Sequence, residues 1–179
     1  MSEPPVDTTL LRRALGTFVT GVTVVTTRNA AGEPVGLTVN SFNAVSLTPP
    51  LVLWSLSLRA ASFKAFEQAD HFAVNVLAED QREVSETFAK SGGEKFTDVA
   101  WRSGHAEMPL LEGTSASFIC RNANRYPGGD HLIFVGEVLS FQQHRRGPLA
   151  YVNGRYLELH SPTDGTEIVV KPGDAIASR

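Results

Sequence analysis

A single cysteine, Cys120, in 179 residues leaves the chain no internal disulfide and no cysteine set for zinc. That usage fits a reducing compartment. An excess of positive charge is also missing. Sixteen Lys and Arg stand against 19 Asp and Glu, for a net charge of -3 and an isoelectric point near 5.9. Without a global basic field, a nucleic-acid partner is not expected, although a local cluster can still seat a small anion. No apolar run approaches the roughly 20 residues of a spanning helix. The start, "MSEPPVDTT", lacks the basic-then-apolar order of a secretion signal. A cytoplasmic protein with no membrane partner is expected.

Several catalytic signatures are absent as well. No G-x-G-x-x-G follows a strand, and there is no phosphate-binding G-x-x-x-x-G-K-[ST] and no G-x-S-x-G. His71, His105, His131, His144 and His160 are scattered, with no H-E-x-x-H among them. A Rossmann dinucleotide site, a serine hydrolase and a metal enzyme therefore all lack support.

What is present is a chain with 42% hydrophobic residues, enough for one core at this length. Residues 1–6 read as a loose arm, 7–159 as one domain and 160–179 as a polar, irregular tail. "DTTLLRRALGTF" reads as a short helix capped by Asp7, with Leu10, Leu11, Ala14 and Leu15 on one face. "GVTVVTTR" and "VGLTVNSFNAVSL" read as two strands paired across the turn "NAAGEP", the second stopped by "TPP" at 48–50. "LVLWSL", "HFAVNVLA", "TSASFICRNANR" and "HLIFVGEVLSFQQH" add strands. "AASFKAFEQAD" and "EDQREVSETFAKS" read as helices, the latter with a capping-box-like start at Asp80 and Glu83. "GPLAYVNGRYLEL" gives a turn, a strand and a glycine corner. Strand pairs on short turns, without regular βαβ alternation, predict a mainly β fold: an antiparallel barrel with inserted helices.

Five stretches carry chemistry-bearing residues, and each has two readings. "GLTVNSFNAVSLTPPLVLWSLS" (36–57) gathers Thr38, Asn40, Ser41, Asn43 and Ser46 behind Gly36. Strand alternation sets Thr38, Asn40 and Phe42 on one face and Val39, Ser41 and Asn43 on the other. This is either a sheet with a wet face or a polar ledge for the edge of a heteroaromatic ring. "SLSLRAASFKAF" (55–66) puts Ser55, Ser57, Arg59 and Ser62 where a strand gives way to a helix. That suits a phosphate, or simply an N-cap at Ser62. Lys95 in "AKSGGEKF" either reaches an anionic group or is a solvated loop charge. His131, after Gly128-Gly129-Asp130 in "YPGGDHLIFVGEV", is a capped hairpin corner or a substrate contact. In "YVNGRY", Tyr151, Arg155 and Tyr156 around a glycine suit an anion and a stacked base.

In this order the pieces resemble one family. "GLTVNSFNAVSLTPPLVLWSLS", "HFAVNVLAEDQREVSETFA", "KFTDVAW", "MPLLEG", "YPGGDHLIFVGEV" and "PLAYVNGRY", spread over about residues 10–157, make the chain similar to the short-chain flavin reductases. These are the reductase partners of two-component aromatic monooxygenases. Thr48 departs from the pattern, since the family often has an acid before the two prolines. The resemblance implies an FMN-binding split barrel, a Greek-key-like six-stranded antiparallel barrel. It also implies a homodimer with flavin near the subunit interface. By position it implies that Thr38, Asn40 and Ser41 lie at the isoalloxazine ring, with Gly36 and Ser46 also in the flavin site. Ser55, Ser57, Arg59 and Ser62 would follow the ribityl chain and phosphate, with Lys95 nearby. His131, Tyr151, Arg155 and Tyr156 would belong to the nicotinamide-nucleotide site. The implied cofactors are FMN or FAD with NADH or NADPH, and no protein group needs to act as a nucleophile. The implied partner is a flavin-dependent monooxygenase. The alternative is a flavin-binding split barrel without efficient NAD(P)H oxidation, serving as a sensor, a store or another flavoenzyme.

Overall fold

The computed structural model describes residues 6–157; the proposed tail and most of the proposed N-terminal arm lie outside them. The chain runs α1 (Thr8–Gly16), β1 (Thr20–Gly21), β2 (Thr23–Arg28), β3 (Pro34–Val39), β4 (Asn43–Leu47), β5 (Pro50–Ser57), α2 (Phe63–Gln68), β6 (His71–Val76) and α3 (Arg82–Ala89). It continues with β7 (Trp101–Ser103), a short 3-10 turn, β8 (Pro109–Leu111), β9 (Ala116–Gly128), β10 (His131–Gln143), β11 (Ala150–Val152) and β12 (Arg155–Leu157).

Seven strands form one antiparallel sheet in the order β3-β2-β6-β9-β10-β5-β4. Its two outer strands, β3 and β4, are consecutive in the chain. Seven strands laid flat would span about 29 Å at the usual ~4.8 Å spacing. The four steps from Val39 to Asn43 reach at most about 14 Å. The sheet must therefore curl until its edges nearly meet, which makes it a barrel. Here the structure corrects the single strand expected over 35–47. It breaks at Asn40–Phe42 into β3 and β4, the two edges of the curled sheet. Ser41 fixes the corner: its Oγ accepts from Ser55 N at 3.0 Å and donates to Ser55 O at 3.2 Å.

The inside of the barrel is filled by alternate residues. Val52, Trp54 and Leu56 of β5 point inward at period two. They join Val25, Phe66, Phe72, Val74, Cys120 and Phe134 in one cluster. Trp54 stacks on Phe134 at 4.6 Å and meets Phe66 and Phe72 edge-on at 5.0 and 5.8 Å. Burial raises the Cys120 thiol to about 12, so it stays protonated and unreactive. β2 is buried on both faces: Val25 enters the barrel, while Val22 and Val24 pack outside it with Leu77, Phe88, Leu111 and Leu149. α3 covers this outer layer. Buried Asn75 is fully used, donating to Val24 O at 3.1 Å and accepting from Leu111 N at 2.9 Å, which pins the β7–β8 hairpin to the sheet.

α1 forms as read, with Asp7 accepting from Thr9 N at 2.8 Å and Leu10 N at 3.1 Å. It buries none of its residues. The capping box expected at Asp80 does not form. α3 is capped at Gln81 without a side-chain bond, and Asp80 instead pairs with Arg146. Among the described residues no helix is long and apolar enough to cross a membrane.

Candidate functional site

β3 is an edge strand, so on one side its peptide groups have no sheet partner. A cleft of about 800 Å³ opens along it, within the ~300–1,000 Å³ typical of small-molecule and cofactor sites. Three elements complete the walls: the turn Ala60–Ser62 before α2, the end of α3 with the loop through Lys95, and Phe96 with Trp101. Phe88, Phe96 and Trp101 meet edge to face in series, at 5.0 and 5.5 Å, forming an apolar aromatic wall. Arg28 lies over Trp101 at 5.7 Å and donates to Glu107 O and Gly32 O, both at 2.6 Å.

Gly36 is required by close approach. A Cβ there would lie 2.8 Å from the Phe88 ring and 3.2 Å from Thr26 Cγ2. Its carbonyl faces away from β2 and accepts from Lys95 Nζ at 3.4 Å, while Phe88 O accepts from the same nitrogen at 3.0 Å. Residues two apart in a strand send their peptide groups to the same side. The Gly36 and Thr38 amides therefore both face away from β2. The Thr38 hydroxyl donates to Ser85 O at 2.7 Å, which locks this edge to α3. Partial burial lowers the pKa of Lys95, since a desolvated ammonium is disfavoured. Among the described residues it has no carboxylate partner. Ser62 caps α2 in position but makes no side-chain cap bond, so that hydroxyl is not spent on the helix.

Of the residues singled out in the sequence, Gly36, Thr38, Ser62 and Lys95 line the cleft. A second group gathers where β5 and β10 end together. His131 is in register with Ser57, and Ile133 with Ser55. Asp130 O accepts from Leu58 N at 3.0 Å, tying this corner to the loop that holds Arg59. The His131 side chain, 43% exposed, places Nδ1 2.7 Å from Asp130 Oδ1. That hydrogen bond, with the imidazole's charge, holds the Asp130 carboxyl below its ordinary value. Gly129 at φ 68 makes the tight turn, as the sequence indicated.

The others are placed differently. Asn40 is exposed at the corner. Ser41 is engaged with the β5 backbone, and Ser46 Oγ accepts from Thr48 N at 3.1 Å. Tyr151 and Tyr156 meet edge-on at 5.3 Å, and the Tyr156 hydroxyl bonds Ser85 Oγ at 2.9 Å beneath the Arg82 guanidinium. Arg155 is exposed beside the Asn153-Gly154 turn. None of these six lines the cleft. The sequence reading gave no role to Phe88, Ser85 or the Phe96–Trp101 wall, although "KFTDVAW" carried the last two aromatics into the resemblance.

These features define a class: a curled antiparallel barrel with a cleft along its open edge, walled by aromatics and holding a lysine that has no carboxylate partner among the described residues. The chain belongs to the flavin reductase like domain family, whose model matches residues 15–160. It is 46% identical over 145 residues to the FMN reductase (NADH) SmoA of Agrobacterium fabrum, covering 81% of this chain and 82% of that one. It is 42% identical over 146 residues to the reductase component of a flavin-dependent trigonelline monooxygenase of Acinetobacter baylyi, covering 82% of this chain and 47% of the relative. The chain spans about half the length of two of the curated relatives it matches, this one among them. Among solved structures, it superimposes with a TM-score of 0.84 and 37% identity on the NADH:FAD oxidoreductase SgcE6 of Streptomyces globisporus in complex with NAD and FAD fragments. That match covers 92% of this chain and 99% of that one. The split-barrel fold is thus established.

Proposed function

We propose that this protein is an NAD(P)H:flavin oxidoreductase that reduces FMN or FAD and passes the reduced flavin to a separate monooxygenase in the cytoplasm. The observation that carries the reading is the edge-strand cleft. It joins free backbone amides at Gly36 and Thr38, the Ser62 hydroxyl, the Lys95 ammonium and an aromatic wall. These are the donors and the apolar aromatic surface that a flavin ring and its phosphate chain call for. The relatives named for FMN reductase and monooxygenase-reductase activities support the same reading.

A bound flavin would supply the acceptor for the hydride that the nicotinamide nucleotide gives up, and would gain negative charge as it is reduced. The chain's own task is to stack the two rings and steady the charge that develops. In this reading Gly36 and Thr38 meet the ring edge. Ser62 and Arg59 take the phosphate end, and Ser55 and Ser57 line the approach. His131, oriented by Asp130, binds the nicotinamide nucleotide from the adjoining corner. Tyr156 and Tyr151 act at one remove, by holding α3 through Ser85. Steady-state NADH and NADPH oxidation with FMN, FAD and riboflavin tests the reading; no flavin-dependent turnover would overturn it. Binding of flavin without that turnover would favour a flavin-binding barrel of another purpose. His131→Ala is expected to raise KM for NAD(P)H about tenfold or more and leave flavin affinity unchanged. An unaltered KM would remove His131 from the site.

The reading includes a homodimer. α1 leaves Leu10, Leu11 and Leu15 uncovered at 59%, 44% and 66% exposure, followed by Phe18 at 73%. An amphipathic helix that buries nothing within its own chain points to a second copy as its cover. The double variant Leu11→Glu/Leu15→Glu is expected to sediment as a monomer with an unchanged circular dichroism spectrum. A wild-type chain that is already monomeric would remove the dimer from the proposal.

A further inference from the structure

We propose that Lys95 is the group that makes the cleft prefer the reduced flavin anion to the neutral oxidised ring. This rests on the flavin reading above and adds a residue to it. Hydride addition at N5 turns an uncharged ring into one carrying a negative charge, spread over its N1–C2=O side. The cleft then needs a cation at the ring edge, and it needs one that is not already neutralised.

Lys95 meets both conditions. Its ammonium is anchored by two carbonyls, Phe88 O at 3.0 Å and Gly36 O at 3.4 Å, where the end of α3 packs against the β3 edge. Two carbonyls fix its position and leave its formal charge uncompensated, with a third N–H still to donate. The other charged groups of the cleft differ from it. Glu33, Lys90 and Glu94 are exposed, Glu33 bonds Asn29 and Glu94 bonds Thr97. Desolvation weakens solvent screening around Lys95, so its field inside the cleft exceeds that of a surface lysine.

Gly36, the anchor, decides between ring and phosphate. It lies on the β3 edge, next to the amides that face a planar ligand. The free hydroxyl of Ser62 belongs to a different wall, before α2. A lysine spent on a phosphate would point toward that second wall; this one is bound to the first.

The test measures anaerobic affinities for oxidised and reduced riboflavin and FMN, and the midpoint potential of each bound flavin. It compares wild type with Lys95→Gln, Lys95→Met and Lys95→Arg. Gln still donates to the two carbonyls and guards against a variant that fails only by losing that anchor. Both neutral variants are expected to lose at least tenfold of the preference for reduced flavin, with riboflavin as with FMN. For a two-electron couple, tenfold corresponds to a potential lower by about 30 mV. Arg is expected to restore most of the preference. A loss confined to FMN would reassign Lys95 to the phosphate, and an unchanged ratio with both flavins would overturn the proposal. A wild type that binds neither flavin would instead overturn the underlying flavin reading.

Discussion

Gly36→Val is expected to raise the flavin KM by more than tenfold and to destabilise the protein by about 1–3 kcal/mol, the usual range for overpacking. An added Cβ would meet Phe88 Cε1 at 2.8 Å, Phe88 Cδ1 at 3.0 Å and Thr26 Cγ2 at 3.2 Å. Thr26 cannot yield, because it is fully buried and its hydroxyl donates to Pro109 O at 2.5 Å. Phe88 must move, and the two methyl groups of valine enlarge the displacement. Phe88 carries the Phe96 ring, and its carbonyl accepts from Lys95, so the shift alters both the aromatic wall and the cation. Flavin KM from steady-state kinetics and urea unfolding read the two effects separately. Adding Phe88→Leu should recover part of both. Unchanged KM and unchanged stability would show that the strand and the ring do not press together as described.

Trp54→Ala is expected to cost about 3–5 kcal/mol, a large share of the ~5–15 kcal/mol that holds a domain of this kind folded. The indole is fully buried and touches three further aromatic rings, so nothing but a cavity replaces it. Trp54→Phe is expected to cost distinctly less, for a second reason besides volume. Among the described residues Trp54 Nε1 is buried without a hydrogen-bond partner, and phenylalanine removes that donor and its desolvation penalty. Urea denaturation followed by far-ultraviolet circular dichroism ranks the two. Equal losses would mean that the indole nitrogen is in fact satisfied.

Turn chemistry made the hairpins legible. "YPGGDH" announced the corner between β9 and β10, and "NAAGEP" the one between β2 and β3, because glycine and Asx residues state their backbone conformation locally. "LVLWSL" was legible as a strand from its short apolar run, while the alternation that turns Val52, Trp54 and Leu56 inward is a finding of the fold. The break at Asn40–Phe42 was not legible. Asn40, Ser41 and Asn43 in "VGLTVNSFNAVSL" permit a turn, but the β-branched and apolar residues around them favour a continuous strand. It is broken by pairing, since β3 must reach β2 and β4 must reach β5 on the far side of the sheet. Asp80 failed as a cap for a comparable reason: Arg146, 66 residues away, takes its carboxylate. The polar half of the cleft was visible as Gly36, Thr38, Ser62 and Lys95. The aromatic half was hidden, because Phe88, Phe96 and Trp101 read as ordinary core until α3 and the β7–β8 hairpin bring them together. Ser41 shows the reverse. Its hydroxyl looked free in the sequence and is consumed in holding the corner.

The chain's two tryptophans occupy opposite situations. Trp54 is sealed inside the barrel, and Trp101 forms part of the cleft wall under a guanidinium. Their near-ultraviolet emission therefore divides into two independent optical signals, one for the integrity of the barrel and one for occupancy of the cleft. A yellow ligand seated beside Trp101 quenches by energy transfer with no label attached, and an aqueous quencher such as iodide separates the half-exposed indole from the sealed one. In Trp54→Phe only the cleft tryptophan remains, so a single fluorescence titration follows the site.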